Sequence, residues 1–257
     1  MKATLTVLGS GTSMGVPTIG CDCAVCHSPD PHDRRTRPSV MIEYAGKTVL
    51  IDTTPDFREQ AIRENIRQVD AVLYTHTHAD HILGIDDLRP LSFRHKPERL
   101  PLYARPEAVD FLRNMFSYIF DANYKFGGLP QVELIPITGA VELFGVPFLP
   151  VTVVHGETEI NGYRFGSAAY LTDHSEIPEA SLAQLENLDI LFLDALRHTP
   201  HPTHSTVENS LQTVARLRPK RAFFTHIAHD LPHAATNATL PPPAQLSYDG
   251  MKLEFEI

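Results

Sequence analysis

The sequence predicts a mixed α/β fold, carried in one domain over residues 1–257. Three observations point there. Short runs rich in β-formers, such as Asp70-Ala71-Val72-Leu73-Tyr74-Thr75, alternate with segments whose apolar residues recur at helical spacing. Hydrophobic residues make up 42% of the 257, enough for a sizeable core, and one sandwich of that length is ordinary. The densest cluster of reactive side chains, Thr75-His76-Thr77-His78-Ala79-Asp80-His81, falls where a strand gives way to a helix.

His76, His78, Asp80 and His81 cannot share one face of a strand or of a helix. They converge if the strand ends near Tyr74 and the chain turns sharply into a helix beginning near Asp80, continued by an apolar-faced turn over Ile82 to Leu88. A histidine-rich surface turn accounts for a single His, but not for four ligand-type residues in six positions. Imidazole and carboxylate together suit zinc, manganese or iron. This pattern resembles the metallo-β-lactamase superfamily, over nearly the whole chain. The resemblance implies a four-layer αββα sandwich with one or two metals held by loops at the edge of the sheets. It also implies a ligand set. His76, His78 and a later His, at His155, hold the first metal; Asp80, His81 and a last His, at His226, hold the second; a later Asp, at Asp173, bridges them.

Composition narrows the partners. Lys and Arg number 22 against 31 Asp and Glu, a net charge of −9, and no basic run exceeds a pair. A nucleic-acid polymer is therefore not expected. The opening Met1 to Gly9 is too short and strand-like for a secretory signal, and no stretch approaches a membrane span. A cytoplasmic protein with no membrane partner is expected. All three cysteines lie within Cys21-Asp22-Cys23-Ala24-Val25-Cys26. An odd, clustered set argues for a thiolate metal site, separate from the histidines, rather than a disulfide framework.

A first strand over 3–8 runs into Gly9-Ser10-Gly11-Thr12-Ser13-Met14-Gly15-Val16-Pro17. The Gly-Lys-Ser/Thr end of a phosphate loop is missing, so a tight turn near the metal edge is the better reading. The long loop to Pro38 needs something to tie it down. A zinc on Cys21, Cys23 and Cys26 would do so, given a fourth ligand. His27 is adjacent and awkward, whereas His229 and His233 are both available. The chain resembles the branch of the superfamily that includes the phosphoribosyl cyclic phosphate phosphodiesterases of phosphonate catabolism. That branch carries a Gly-Cys-x-Cys-x-x-Cys loop, here Gly20 to Cys26. Its fourth ligand is the His three residues after the last active-site His, in Thr225-His226-Ile227-Ala228-His229-Asp230. The resemblance thus implies a structural zinc closed by His229.

Strands over 39–44 and 47–51 form a hairpin at Ala45-Gly46. Asp52 ends the second strand, where a carboxylate orients a ligating imidazole or merely caps a turn; the resemblance favours the former, an acceptor behind a metal-binding ring. Residues 55–67 read as a helix. Arg89, Arg94 and Lys96 are a solvated face or a phosphate contact. After a strand at 102–104, residues 106–120 read as one helix, with Ala108, Phe111, Leu112, Met115, Phe116 and Ile119 forming a core or interface stripe. The aromatic loop over 118–128 suits a wall of the substrate pocket or a homodimer contact.

Strands at 132–136, 141–144 and 146–154 lead to His155. The next strand, Tyr163 to Leu171, leads to Asp173 and to His174, a spare second-shell or substrate-facing imidazole. A helix near 179–188 precedes a buried strand over 189–194. His198, His201 and His204 then recur every third residue in a proline-broken loop. The resemblance matches His204 to a histidine that acts as acid or touches phosphate; His198 and His201 have no counterpart. A helix at 206–217, a strand at 222–225, a polar proline-rich tail over 234–243 and a closing strand over 251–257 complete the chain.

Two metals about 3.5–4 Å apart clamp the oxygens of a displacement and suit hydrolysis at phosphorus or carbonyl. With the resemblance, this implies a phosphodiesterase opening a small cyclic phosphate, a ribosyl 1,2-cyclic phosphate or a cyclic nucleotide, with a metal-bridging hydroxide. Asp80 would orient the attacking water and His204 would protonate the departing alkoxide. The expected cofactors are two divalent ions, zinc or manganese with iron also suited, and one structural zinc. A lactone or thioester hydrolase on the same metals, and an iron-dependent redox or accessory protein, are the alternatives. The relative that matures transfer RNA grips it with an added arm that this sequence lacks, and −9 is the wrong sign for that substrate.

Overall fold

Two seven-stranded sheets form the frame, in a computed structural model that describes residues 1–257 other than Lys96, Ala122 and Lys125. The first sheet comprises β1 (Lys2–Gly9), β2 (Ser39–Tyr44), β3 (Lys47–Ile51), β4 (Ala71–Leu73), β5 (Leu100–Ala104), β6 (Val132–Pro136) and a final strand, β14 (Lys252–Glu256), in the order β14-β1-β2-β3-β4-β5-β6. The second comprises β7 (Val141–Leu143), β8 (Val146–His155), β9 (Thr158–Phe165), β10 (Ala168–Tyr170), β11 (Ile190–Asp194), β12 (Arg221–Thr225) and β13 (Ala244–Leu246), in the order β13-β12-β11-β10-β9-β8-β7. Each sheet is antiparallel in one half and parallel in the other: β3-β4-β5-β6 run parallel in the first, β10-β11-β12-β13 in the second.

The layers follow from side-chain alternation. Successive residues of a strand face opposite ways, so Val49 and Ile51 of β3 enter the core between the sheets, while Leu50 joins the outer core beneath the helices. Phe148, Tyr163, Phe165 and Phe192 meet the first sheet from the second. Each such fully buried side chain contributes on the order of 1.5–3 kcal/mol. Helices α1 (Phe57–Arg63), α2 (Ala79–Ile82), α3 (Arg89–Ser92), α4 (Pro106–Met115) and α5 (Ser117–Phe120) belong to the first half of the chain. Phe57, Ile82, Leu91, Leu112 and Ile119 from them fill the outer core on the first sheet. Helices α6 (Glu179–Leu182), α7 (Val207–Leu217) and α8 (His233–Asn237) follow, and Val207 and Val214 pack on the outer face of the second sheet with Leu191 and Phe224. The predicted αββα sandwich is the architecture observed. No helix among the described residues is long and apolar enough to cross a membrane.

Local departures have physical causes. The strand expected from Tyr163 to Leu171 is a hairpin: β9 ends at Phe165, Gly166 turns with φ +55°, and β10 returns antiparallel. The helix expected over 106–120 breaks at Phe116, whose ψ of 37° is not helical; Phe111 and Met115 of the supposed stripe are 46% and 47% exposed. The helix expected near 179–188 stops at Leu182 and tightens into a 3₁₀ turn over Ala183–Leu185. The tail expected to be a loop over 234–243 holds most of α8, and β13 follows directly after it.

Candidate metal centre

The ends of six strands, two from the first sheet and four from the second, converge at one edge. Asp52 follows β3, His76 follows β4, His155 closes β8, Asp173 follows β10, Asp194 closes β11 and His226 follows β12. Parallel strands with crossovers present their carboxyl ends together, which is where α/β folds gather ligands. Three of these residues, Asp52 (φ 66°), Asp173 (φ 52°) and His226 (φ 59°), hold left-handed backbone without being glycine. Such conformations cost of order 1–3 kcal/mol each and persist where the surroundings over-determine them.

The turn after β4 places the histidine motif as its spacing required. His78 is extended (φ −66°, ψ 152°) and precedes α2, which carries Asp80 and His81 inward. Asp80, His81, Asp173 and His226 each offer one donor atom within 4.8 Å of the others, and His76, His78 and Asp173 do the same. Asp173 belongs to both groups, as a bridging carboxylate must. Its Oδ1 lies 3.3 Å from His81 Nε2 and 3.2 Å from His226 Nε2, and its Oδ2 lies 3.7 Å from His76 Nε2. His155, Asp173 and His204 form a third such group. His155 Nδ1 donates to the Asp173 carbonyl at 2.7 Å, which turns Nε2 into the free donor position. His78 is the exposed member of the set.

Asp52 is fully buried. Its Oδ2 is 2.7 Å from His81 Nδ1, and Thr75 donates to it from both backbone and hydroxyl. That arrangement fixes the His81 ring with Nε2 toward Asp80 and Asp173. Thr75, which the sequence reading passed over, also meets His76 Nδ1 at 3.0 Å. Burial alone would raise Asp173, yet the His226 and His81 imidazoles hold it well below the usual carboxylate range. The fit to metal rests on orphaned atoms. His76 Nε2, Asp80 Oδ2, His81 Nε2 and His226 Nε2 are buried with no hydrogen-bond partner, and buried polar atoms left unpaired are costly. Metal ions held by this donor set would satisfy all four.

His204, from the loop before α7, packs against the cluster, its ring 4.9 Å from His155 and 4.5 Å from His226. Asp194 Oδ2 accepts from His204 Nδ1 at 2.7 Å, a partner the sequence reading missed. The signal was there: Asp194 closes an apolar strand, as His155 does. His201 stands 5.0 Å from His204, and the exposed His198 pairs with Glu208 at 2.7 Å. His174 is buried, which pushes its imidazole down to about 3, and its Nδ1 has no partner. Arg89 and Arg94 line a different groove, with Phe57, Arg58 and Arg67, where Arg89 binds Asp86 and Arg94 binds the Arg67 carbonyl. Lys96, grouped with them above, lies outside the described residues. In the aromatic loop, Tyr118 donates to Asp86, and Tyr124 packs edge-on to Phe126, which is 89% exposed.

The second cluster is separate. The thiol sulfurs of Cys21, Cys23 and Cys26 lie 3.3, 3.7 and 3.3 Å from His229 Nδ1, and all four atoms fall within 4.8 Å of one another. Between His229 and His233, which spacing left open, the geometry selects His229. Burial pushes the Cys26 thiol up to about 11, and a bound cation would favour the thiolate. The Thr18 and Cys26 amides donate to sulfur, as around metal thiolates. Arg35, fully buried, clamps the segment between the two clusters, donating to the Ala228 and Leu231 carbonyls at 2.8 and 2.6 Å and to Asp33 at 3.0 Å. The glycine loop closes the other side: Ile227 donates to the Ser10 carbonyl, and Thr12 to that of Ile227.

The chain is similar over most of its length to known proteins of one superfamily. A family model for a beta-lactamase superfamily domain matches residues 47–227. The crystal structure of a new diphosphatase from the PhnP family is 64% identical, with a TM-score of 0.94 over 99% of this chain and 98% of that one. An octanoyltransferase of Porphyromonas gingivalis is 38% identical over 251 residues, 96% of this chain and 50% of that protein. A ribonuclease Z of Bradyrhizobium diazoefficiens is 29% identical over 147 residues, 54% of this chain and 47% of that protein. The chain spans about half the length of these curated relatives.

Proposed function

The chain belongs to the PhnP family of the beta-lactamase superfamily, and on that premise we propose that it is a metal-dependent phosphodiesterase opening a small cyclic phosphate. A ribosyl 1,2-cyclic phosphate is the first candidate and a cyclic nucleotide the second. The observation that carries this reading is the buried Asp194 carboxylate holding His204 at 2.7 Å beside the donor cluster. An alkoxide departs poorly until it is protonated, and His204 is a proton donor held for that step.

Two divalent ions, zinc, manganese or iron, fit His76, His78 and His155 on one side and Asp80, His81 and His226 on the other, with Asp173 between, and when bound supply Lewis-acid charge stabilisation at the phosphoryl oxygens. Asp80 orients the attacking water through the carboxylate oxygen that the metal does not take. His204 gives its Nε2 proton to the departing oxygen, and Asp194 steadies the imidazolium and sets its tautomer. Asp52 keeps the His81 ring aligned. A structural zinc on Cys21, Cys23, Cys26 and His229 anchors the loop that borders the site.

A second reading, cleavage of a diphosphate bond, is favoured by the diphosphatase at 64% identity. A panel of ribose 1,2-cyclic phosphate, 2′,3′-cyclic AMP, a linear dinucleotide, ADP-ribose and a lactone separates the cases. The proposal expects the cyclic phosphates to give the highest kcat/KM. Preferred turnover of ADP-ribose would move the assignment to the diphosphate bond, and preferred lactone turnover would overturn the phosphodiester class.

A further inference from the structure

His204 has a second side. Besides the donor cluster, it borders a cavity of about 330 Å³, walled also by Ser175, His198, His201, Glu208 and Asn209. That is at the small end of ligand pockets, which run from about 300 to 1,000 Å³. If His204 protonates the departing oxygen, the group carrying that oxygen must extend from His204, and this cavity borders it.

The walls have a definite chemistry. No Lys or Arg lines the cavity among the described residues, and Pro200 is its one apolar side chain apart from methyl groups. A nucleobase would find no aromatic platform outside the imidazoles, and a second phosphate would find no permanent cation. Glu208 instead offers a carboxylate that accepts from His198 Nδ1 at 2.7 Å and is also reached by the Thr206 hydroxyl and its own backbone N–H, which leaves acceptor capacity among its roughly four lone-pair positions. Glu208 sits in the first turn of α7, behind the Thr206 cap, whose hydroxyl accepts from the Asn209 amide. The carboxylate is therefore carried by a helix rather than by a mobile loop. A carboxylate is also the group that accepts a hydrogen bond from a ribose hydroxyl in dinucleotide-binding folds.

We propose that Glu208, braced by His198, is a specificity-determining residue that reads the free hydroxyl of a pentose on the departing side of the scissile bond. The proposal rests on the phosphodiesterase reading above and on His204 as its acid. The wild-type protein should prefer ribose 1,2-cyclic phosphate over its 3-deoxy analogue by at least tenfold in kcat/KM. Glu208→Gln should bring that ratio to within about threefold, and should lose far more kcat/KM with the ribose substrate than with bis(p-nitrophenyl) phosphate. A ratio unchanged in Glu208→Gln overturns the proposal, as does wild-type indifference to the 3-hydroxyl. Calorimetric binding of ribose 1-phosphate and its 3-deoxy analogue separates the two levels of inference. Discrimination that disappears in Glu208→Gln upholds the subsite even if no diester is hydrolysed, in which case only the phosphodiesterase reading falls. Equal binding of both sugars by the wild-type protein removes the subsite.

Discussion

Asp194 Oδ2 lies 2.7 Å from Nδ1 of His204, and the same oxygen is 4.0 Å from Nδ1 of His226. One fully buried carboxylate therefore stands behind both the candidate proton donor and a candidate metal ligand. Burial pushes Asp194 up against the pull of His204, so its charge is held there by these imidazoles and would be costly without them.

Asp194→Asn keeps the shape of the side chain and removes the charge that steadies a His204 imidazolium. General acid catalysis contributes about 10²–10⁴-fold, so turnover of a diester with an alkoxide leaving group should fall by about 10²-fold. With a p-nitrophenolate leaving group, which needs no proton, the loss should stay under about tenfold. His204→Ala should show the same split with unchanged metal content. Equal losses on both substrates would remove His204 as the acid, and a fall in bound metal would make it a ligand instead.

Cys23→Ser should act on stability and zinc content before turnover. Structural zinc sites contribute folding energy outright. A loss of roughly 2–3 kcal/mol would lower Tm by about 4–12 °C in a chain of this size. Metal analysis should find one zinc fewer per chain, while kcat of the surviving folded protein changes little. Free reaction of all three thiols with a thiol reagent in the native, metal-loaded protein would contradict the site.

Arg35→Met removes the buried partner of Asp33 and leaves the Ala228 and Leu231 carbonyls unpaired. Breaking a buried pair in this way costs about 3–5 kcal/mol. Thermal unfolding should show a Tm lower by roughly 10 °C, with thiol reactivity rising at Cys21 and Cys26 because His229 lies between the two freed carbonyls. A Tm within a degree or two of wild type would show that the clamp is idle.

Gly84 follows α2, and a Cβ there would sit 2.1 Å from the Thr54 carbonyl oxygen and 2.9 Å from Phe57 Cβ. Gly84→Ala must therefore shift either the turn that follows Asp80 and His81 or the Thr53–Phe57 segment packed against it. Overpacking of this kind costs typically 1–3 kcal/mol. The expected result, read by metal titration and by Tm, is weaker metal binding together with that loss of stability. An unchanged metal affinity would show that the turn absorbs the strain without moving its ligands.

Much of this site is readable in the chain because its parts are local. The stretch from Thr75 to His81 carries four donors across one strand-to-helix junction, and His155, Asp173 and His226 each sit at the end of an apolar strand. Asp194 had the same position but no partner in sight, since His204 lies ten residues on, across a proline-broken loop. His229 and His233 are indistinguishable by spacing; the resemblance implied His229, and the fold brings it to the thiols. The left-handed backbone at Asp52, Asp173 and His226 leaves no trace in residue type, because Asp and His adopt it here under tertiary constraint. Gly166 was the missed turn signal that split one expected strand into two, and the prolines around α8 hid a helix of five residues.

The central claim is that Asp173 bridges two divalent ions on which hydrolysis depends. Metal content and phosphodiesterase activity should be measured on one preparation, before and after stripping with a chelator and again after adding back zinc or manganese. The account predicts three ions per folded chain, two of them lost together with activity and regained with it, and Asp173→Ala folded but inactive with those two sites weakened. Full activity in protein from which the metal has been rigorously removed would contradict it.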